Sequence, residues 1–298
     1  MHPDAYQLVQ LATGAWSVRS LGVAETFHPV IGPEAEAQAL YVGQTNLRSR
    51  LEQFSPDQEF VVWDIGLGAA ANILAVFRAG SHTPTRLRAL SFDKTLQPAR
   101  FALNHVESLR YLKGFESPLT RLIDSCSQLT APSDVPSVRF TNGHQEILWS
   151  LIVDDFPSWL FRQTQFKPPH LILYDAFSPA KNPEMWTLSV FSRLRRALND
   201  QRPCLLPTYS RSTLLRVTLL LAGFFVGRGE ATGEKEETTI ASNCLNEVNY
   251  PLDMTWLSRA RRSTSAEPLH SNQYIQHPLS DESWQKLQQH PQFQSSCE

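Results

Sequence analysis

The sequence predicts an α/β fold with a mostly parallel central sheet, helices on both faces and a C-terminal antiparallel hairpin. Three observations predict it. Short apolar runs of strand length alternate with helix-forming segments, a glycine turn follows the first clear run, and two of the runs end in a carboxylate, Asp93 and Asp175. Strand, helix, strand in that order implies right-handed parallel crossovers.

The first strand is expected at 60–65 (FVVWDI), followed by Gly-Leu-Gly and by AAANILAVFRAG, a helix closed by Gly80. A second strand is expected at 87–92 (LRALSF), ending at Asp93, with a helix over 96–109. A helix over 119–129 and a short third strand at 138–141 come next. HLILY at 170–174 reads as a buried strand ending in Asp175, and Asn182-Pro183 as the N-cap and first residue of a helix running to about Leu198. Strand 204–209 follows, with Pro207 removing a ladder donor, then a helix over 211–221. A hairpin of 224–227 with 238–242 closes the sheet. The expected organisation is an N-terminal extension, 1–58, covering the core and its site, a core at 59–243, and a peripheral tail at 244–298.

With 42% hydrophobic and 19% charged residues the chain has ordinary globular composition, outside the disordered regime. A net charge of -2 excludes a protein that coats nucleic acid with its whole surface and leaves room for a local basic patch. Cys126, Cys204, Cys244 and Cys297 form no close pair, so neither zinc nor redox spacing is present and no metal is expected. The start lacks a signal-peptide pattern, and the longest apolar run, 217–226, is interrupted by Gly223 and too short to span a bilayer. A cytoplasmic protein with no membrane partner is expected.

The turn Gly66-Leu67-Gly68-Ala69-Ala70-Ala71 satisfies the G-x-G-x-x-A dinucleotide fingerprint, which alone is a weak signal. The same turn can admit the methionyl and ribosyl parts of S-adenosylmethionine, with the acid after the second strand accepting from ribose hydroxyls. Asp93 lies 27 residues beyond Gly66, longer than the roughly 20 of a dinucleotide site, which leans toward the second reading. The plainer alternatives are a tight strand-to-helix turn, Asp64 as a solvated strand end, and Asp93 as a surface carboxylate beside Lys94.

A second motif, Tyr174-Asp175-Ala176-Phe177-Ser178-Pro179-Ala180-Lys181-Asn182-Pro183-Glu184-Met185-Trp186, is more specific. It resembles the D-G-F-A-P-A-K-N-P-x-M-W signature of the methyltransferase domain of the bifunctional tRNA 5-methylaminomethyl-2-thiouridine biosynthesis proteins and their stand-alone relatives. The glycine turn resembles that family's G-F-G-T-G-L-N-F-L at Gly66, Gly68, Asn72 and Leu74. The resemblance runs from about Ser20 to Ser242, including 22–26 and 233–241.

The resemblance implies a Rossmann-like class I S-adenosylmethionine-dependent methyltransferase acting on the exocyclic amine of 5-aminomethyl-2-thiouridine at the tRNA wobble position. It implies cofactor contacts from Asp64, Gly66, Gly68, Asn72, Asp93, Lys94 and the position of His144. The bifunctional relatives add a flavin-dependent oxidase domain for which this chain is too short, so a separate oxidase supplying the aminomethyl substrate is an expected partner beside tRNA. Three departures stand out. Ala70 replaces a glycine, which requires negative φ there. His144, in Thr141-Asn142-Gly143-His144, stands where the family shows Gly-Asp and an acidic contact is expected. Pro207 and a missing glycine pair mark the fifth strand.

An alkylamine is mostly protonated at neutral pH and must lose a proton before it attacks carbon, a task for a carboxylate at the carboxyl end of a central strand. Asp175 is the candidate. Phe177 could stack on the uridine, and Pro179, Lys181 and Asn182 share its string as substrate contacts. Glu25 and His28, in GVAETFHPVIGPEAEA, are expected over the site. Arg259, Arg261 and Arg262, together with 193, 195 and 196, are candidates for phosphate contacts or solvated helical faces. Three other functions fit the residues: transfer to a small amine, including aminopropyl transfer; a degenerate cofactor-binding module; and NAD-dependent oxidoreduction.

Overall fold

The structure, a computed structural model, describes residues 5–127, 135–163, 165–232 and 236–294. Contacts divide the chain into two compact units that interleave in sequence. The first comprises Met1–Phe156, Leu171–Asp175 and Ala231–Glu236, the second Pro157–His170, Ala176–Glu230 and Glu237–Glu298.

The first unit opens with an antiparallel sheet of β1 (Tyr6–Gln10), β2 (Trp16–Ser20) and β3 (Glu25–Thr26). Gly14, at φ 82, makes the β1–β2 turn. Next come α1 (Pro33–Ala37), a π-helical turn at Gln38–Gly43 and α2 (Leu47–Glu52). The main sheet of this unit then begins with β4 (Glu59–Ile65), followed by α3 (Ala71–Gly80), β5 (Arg86–Asp93), α4 (Gln97–Leu103) and α5 (Glu116–Ser125). A hairpin of β6 (Ser137–Asn142) and β7 (Gln145–Val153), helix α6 (Phe156–Arg162), most of which lies in the second unit, and β8 (Leu171–Tyr174) follow.

The five sheet strands of the first unit are ordered β8-β4-β5-β7-β6. The first four are parallel, and β6 runs antiparallel to β7. The register pairs Ile65 with Phe92 and with Tyr174, and Asp93 with Val153, so four carboxyl ends are level. Apolar runs buried on both faces account for these strands: β4 is buried from Phe60 to Ile65 and β8 throughout. Phe77 of α3 meets Trp149 at 5.1 Å on one face of the sheet, and Trp63 meets Phe92 edge-on at 5.8 Å on the opposite face.

The second unit contains α7 (Leu188–Arg196), β9 (Leu205–Thr208), α8 (Thr213–Leu221), β10 (Phe225–Gly229), β11 (Thr238–Ser242), α9 (Met254–Arg261), α10 (Asp281–Gln288) and α11 (Pro291–Gln294). The expected hairpin is β10–β11, registered Phe225 to Ser242, and β11 also pairs antiparallel with β9, placing Pro207 opposite Ile240. Gln292 supplies the polar groups of the outer edge of β10: its Oε1 accepts from Val226 N–H at 2.7 Å and its Nε2 donates to Val226 O at 2.8 Å. The backbone of Tyr250–Leu252 pairs along the same edge, with Leu252 N–H donating to Val226 O and Arg228 N–H to Tyr250 O, both at 2.9 Å, so side chain and backbone together close it.

Three elements differ from expectation. The helix expected over 96–109 stops at Leu103, and 104–109 form turns before a 3₁₀ turn at Arg110–Leu112. The helix expected from Pro183 is split into a 3₁₀ turn, Pro183–Trp186, and α7, because Thr187 is extended and its Oγ1 takes the cap bond from Val190 N–H. Asn182 makes no cap bond. The third strand proved to be β6 and a whole further strand, β7, follows it. Gly233 of segment 233–241, the end of helix 119–129 and Cys297 lie outside the described residues. Among the described residues no helix is long and apolar enough to cross a membrane, and no group of three His, Cys, Asp or Glu could hold a metal ion.

Candidate active site

The level carboxyl ends of β4, β5, β7 and β8 carry, in turn, Gly66, Asp93, Asp154 and Asp175. Between β4 and α3 the chain makes a left-handed turn, with φ of 97° at Gly66, 51° at Gly68 and 68° at Ala70. The alanine in the third position therefore carries the positive φ that a glycine would carry at less cost, contrary to the negative φ expected there. The N–H groups of Gly66 and Leu67 both donate to Phe92 O at 3.0 Å, which ties the turn to the neighbouring strand.

Asp93 closes the same turn from the other side. Its Oδ2 accepts from Gly68 N–H at 2.8 Å and its Oδ1 from Thr95 N–H at 3.1 Å. Burial raises its carboxyl above the usual range, opposed by those N–H groups and by Lys94. The Lys94 ammonium itself lies 2.8 Å from Asp155 Oδ1.

Asp64 is not a solvated strand end. It is 1% exposed on β4 and accepts from Ser91 Oγ at 2.7 Å, and Ser91 accepts in turn from Trp149 Nε1 at 2.9 Å. Burial pushes its carboxyl up to about 7, against the Ser91 hydrogen bond and with help from the charges of Asp175 and Asp93. Asp64 therefore sits behind the site and shapes its charge.

Asp175 follows β8, and its N–H donates to Ile65 O at 3.0 Å. Its Oδ2 accepts from Asn72 Nδ2 at 2.7 Å, across 103 residues of sequence, and stands 3.6 Å from His28 Nε2. Asn72 is 4% exposed near the start of α3, and its Oδ1 has no hydrogen-bond partner. A buried orphan acceptor of this kind is costly unless a ligand donor meets it.

The N-terminal segment reaches the same place. A Cβ on Gly68 would stand 3.3 Å from the Phe27 ring, so glycine is what lets Phe27 lie on the turn. Tyr6 packs edge-on to Phe27 at 6.5 Å, and its hydroxyl pKa is raised by burial and by the charge of Asp93. Glu25, half-buried in β3, pairs in register with Ser20.

His144 is not brought to this end. It immediately precedes β7, and its N–H donates to Ser81 O at 2.8 Å, beside the C-terminus of α3. Val153, level with Asp93, is a strand length away, roughly 26 Å at about 3.3 Å per residue. The acidic pair at the near end is Asp154-Asp155, and Asp154 N–H donates to Asp93 O at 3.0 Å. The signal that could have located it is Asn142-Gly143 followed by the apolar run 145–153, a hairpin pattern.

The remaining candidates belong to the second unit. Phe177 O accepts from Trp186 Nε1 at 2.8 Å, and Ser178 O accepts the N–H groups of Lys181 and Asn182 at 2.8 and 2.9 Å, making a tight turn that includes half-buried Pro179 and exposed Lys181. With its amide nitrogen toward Glu184, Asn182 donates to that carboxylate at 2.6 Å. Arg261 is engaged: its guanidinium donates to Asp281 at 2.6 Å and to Leu279 O at 2.9 Å, and lies over the Trp284 ring at 5.5 Å. Arg259 and Arg262 are exposed at the end of α9, and their side chains make no ion pair among the described residues. Of the other cluster, Arg195 bonds Asp200 at 2.7 Å and Arg193 bonds Gln163 O.

A profile of a family described as S-adenosyl-L-methionine-dependent methyltransferase matches residues 139–244. The tRNA 5-methylaminomethyl-2-thiouridine biosynthesis bifunctional protein MnmC of Pseudomonas putida strain W619 is 26% identical over 234 residues, covering 76% of this chain and 33% of that protein. Over residues 139–244 the chain is similar to the S-adenosyl-L-methionine-dependent methyltransferases. The protein of the same description from Ralstonia nicotianae is 27% identical over 223 residues, 73% of this chain and 32% of that protein. The chain thus spans about a third of the length of the curated relatives it matches. MnmC2 from Aquifex aeolicus has the same fold: its crystal structure aligns with a TM-score of 0.67 at 18% identity, covering 96% of this chain and 85% of that one.

The residues present fit the cofactor. Asp93 beside the left-handed turn is an acceptor suited to ribose hydroxyls, and the orphan Oδ1 of Asn72 suits an ammonium donor. When bound, S-adenosylmethionine supplies a methyl group on a positively charged sulfur.

Proposed function

We propose that this methyltransferase transfers a methyl group to the exocyclic amine of 5-aminomethyl-2-thiouridine at the tRNA wobble position. The observation that carries the reading is the Asp175 carboxylate, fixed by Asn72 at 2.7 Å on the carboxyl edge beside the glycine turn. An amine substrate arrives as a cation and must give up a proton there, and Asp175 is the acceptor. Similarity to the MnmC proteins over about three quarters of this chain supports the same substrate class.

In this reading Gly66, Gly68, Asn72 and Asp93 contact the cofactor, with Asp154 and Asp155 on the side first assigned to His144. Lys94 acts by holding Asp155. Residues 1–58, with Glu25 and His28, cover the site. Phe177, Pro179, Lys181 and Asn182 meet the nucleoside, while Arg259 and Arg262 meet phosphates. A separate flavin-dependent oxidase supplies the aminomethyl group, and the setting is the cytoplasm.

The test is incubation with S-adenosylmethionine and tRNA bearing the aminomethyl nucleoside, followed by mass spectrometry of wobble nucleosides. The expected product gains one methyl group, and Asp175→Asn should lower the single-turnover rate by about 10² to 10⁴ while cofactor binding persists. No methylated nucleoside, together with methylation of a polyamine offered in parallel, would overturn the tRNA reading.

A further inference from the structure

His28 has a φ of 47°, a left-handed conformation that costs a non-glycine residue energy and is further disfavoured before a proline, here Pro29. Such strain persists where the surroundings over-determine it, and it clusters at functional sites. The strained backbone sets the imidazole between two carboxylates. Nε2 lies 3.6 Å from Asp175 Oδ2, and Nδ1 lies 3.8 Å from Glu36 Oε2.

Glu36 is 7% exposed on α1. In the sequence it reads as one more acid in the run 33–37, yet it is buried where an unpaired carboxylate would be costly. Among the described residues, the charged and titratable groups around Asp175 include His28, Glu36 behind it, and Asp64 from β4. Imidazole is the group among them that can accept on one nitrogen while donating from the other.

We propose that His28 and Glu36 are positioning residues that form the proton exit behind Asp175. The inference rests on the reading of Asp175 as the acceptor of the substrate proton. The substrate ammonium gives one proton to the Asp175 carboxylate. That proton passes to His28 Nε2 as the Nδ1 proton passes to Glu36, leaving Asp175 ionised and the imidazole neutral. The freed amine lone pair forms the N–C bond while the C–S bond breaks and its electron pair stays on sulfur. The product leaves as a secondary ammonium, and the one proton released overall departs from Glu36 to water. The separations of 3.6 and 3.8 Å shorten to hydrogen-bond distance for the proton to pass.

Four variants test this by single-turnover methyl transfer to tRNA carrying 5-aminomethyl-2-thiouridine: His28→Gly, His28→Asn, Glu36→Gln and Asp175→Asn. Glycine and asparagine both tolerate positive φ, so these changes remove the ring without adding backbone strain. Binding of S-adenosylhomocysteine, followed by thermal shift, serves as the control for folding and the cofactor site. His28→Gly should lose about 10- to 10²-fold in rate at neutral pH with an unchanged thermal shift. Added imidazole should restore much of that loss, and the deficit should shrink at alkaline pH, where the amine arrives neutral. Glu36→Gln should show a smaller loss with the same pH dependence, and it carries the test alone if His28→Gly does not fold.

Rates within twofold of wild type for both His28→Gly and Glu36→Gln would overturn the exit. So would losses that neither imidazole nor alkaline pH relieves. If Asp175→Asn falls while the His28 and Glu36 variants do not, only the exit is wrong. If Asp175→Asn keeps the wild-type rate on a tRNA that wild type methylates, the underlying reading of Asp175 fails.

Discussion

Replacing Asp64 by asparagine should make stability less dependent on pH, and the size of the effect follows from the site. The carboxyl sits on β4 at 1% exposure with a hydrogen bond from Ser91, and its pKa is pushed from 3.8 to about 7. Across that interval the native chain keeps a proton that the unfolded chain has released, so stability falls as pH rises from about 4 to about 7 and then levels off. At about 1.36 kcal/mol per pH unit the full fall approaches ~4 kcal/mol, a large part of the roughly 5 to 15 kcal/mol of a typical domain. Coupling to Asp93 and Asp175 spreads the titration over a wider range without changing its sign. Asparagine keeps the shape and can still accept from Ser91, but it cannot ionise. The assay is urea unfolding followed by tryptophan fluorescence, for wild type and Asp64→Asn, from about pH 4 to about pH 8.5. The variant should gain on wild type steadily as pH rises. Parallel stability curves would show that Asp64 does not titrate in this window, and the account of its burial would be wrong.

Three further outcomes are expected. S-adenosylhomocysteine should raise the melting temperature of wild type and of His144→Ala equally, and have little effect on Asp93→Ala, as a thermal-shift titration would show. Ala70→Gly should change stability by less than about 1 kcal/mol, because relief of left-handed strain, ~1–2 kcal/mol, is offset by the lost buried methyl and the looser unfolded chain. Ala70→Val, which forces a β-branched residue to φ near 68°, should cost more than about 2 kcal/mol in the same urea assay. Replacing Arg259 and Arg262 together by alanine should weaken tRNA binding and reduce its logarithmic salt slope by up to about 2, whereas Arg261→Ala should mainly lower stability.

The strand, turn and helix from Glu59 to Gly80 were legible because an uninterrupted apolar run, two glycines and a helix former stand in an order few other structures use. The carboxylates after β5 and β8 were legible for the same reason: each ends a run whose burial is plain in the residues. β7 was not. Thr141-Asn142-Gly143-His144 drew attention as a degenerate cofactor motif when it is the tip of a hairpin, and misreading it assigned His144 to the wrong end of the sheet. The helix after Asn182 was drawn too long because Asn182-Pro183 reads as an N-cap and first helical residue, whereas the extended backbone and cap at Thr187 start the helix anew. Nothing in the sequence joins His28 to Glu36 and Asp175. That arrangement depends on a strained φ and on the N-terminal segment reaching the edge of the sheet, neither of which has a local pattern.

The charges at this edge explain why a turn that matches the dinucleotide fingerprint serves a different ligand. Asp93 holds the turn, Asp175 stands across it and Asp64 lies behind both, close enough that the other two help to drive its carboxyl toward the protonated form. A pyrophosphate placed on the start of α3 would add negative charge to a group already paying for mutual repulsion, and one helix N-terminus contributes only about half a charge in return. A ligand with a sulfonium and an ammonium does the opposite. It neutralises the carboxylates, meets the orphan oxygen of Asn72 with a donor, and asks nothing of the helix dipole. The same field would attract an ammonium substrate, which ties the amine chemistry proposed at Asp175 to the charge that suits the cofactor.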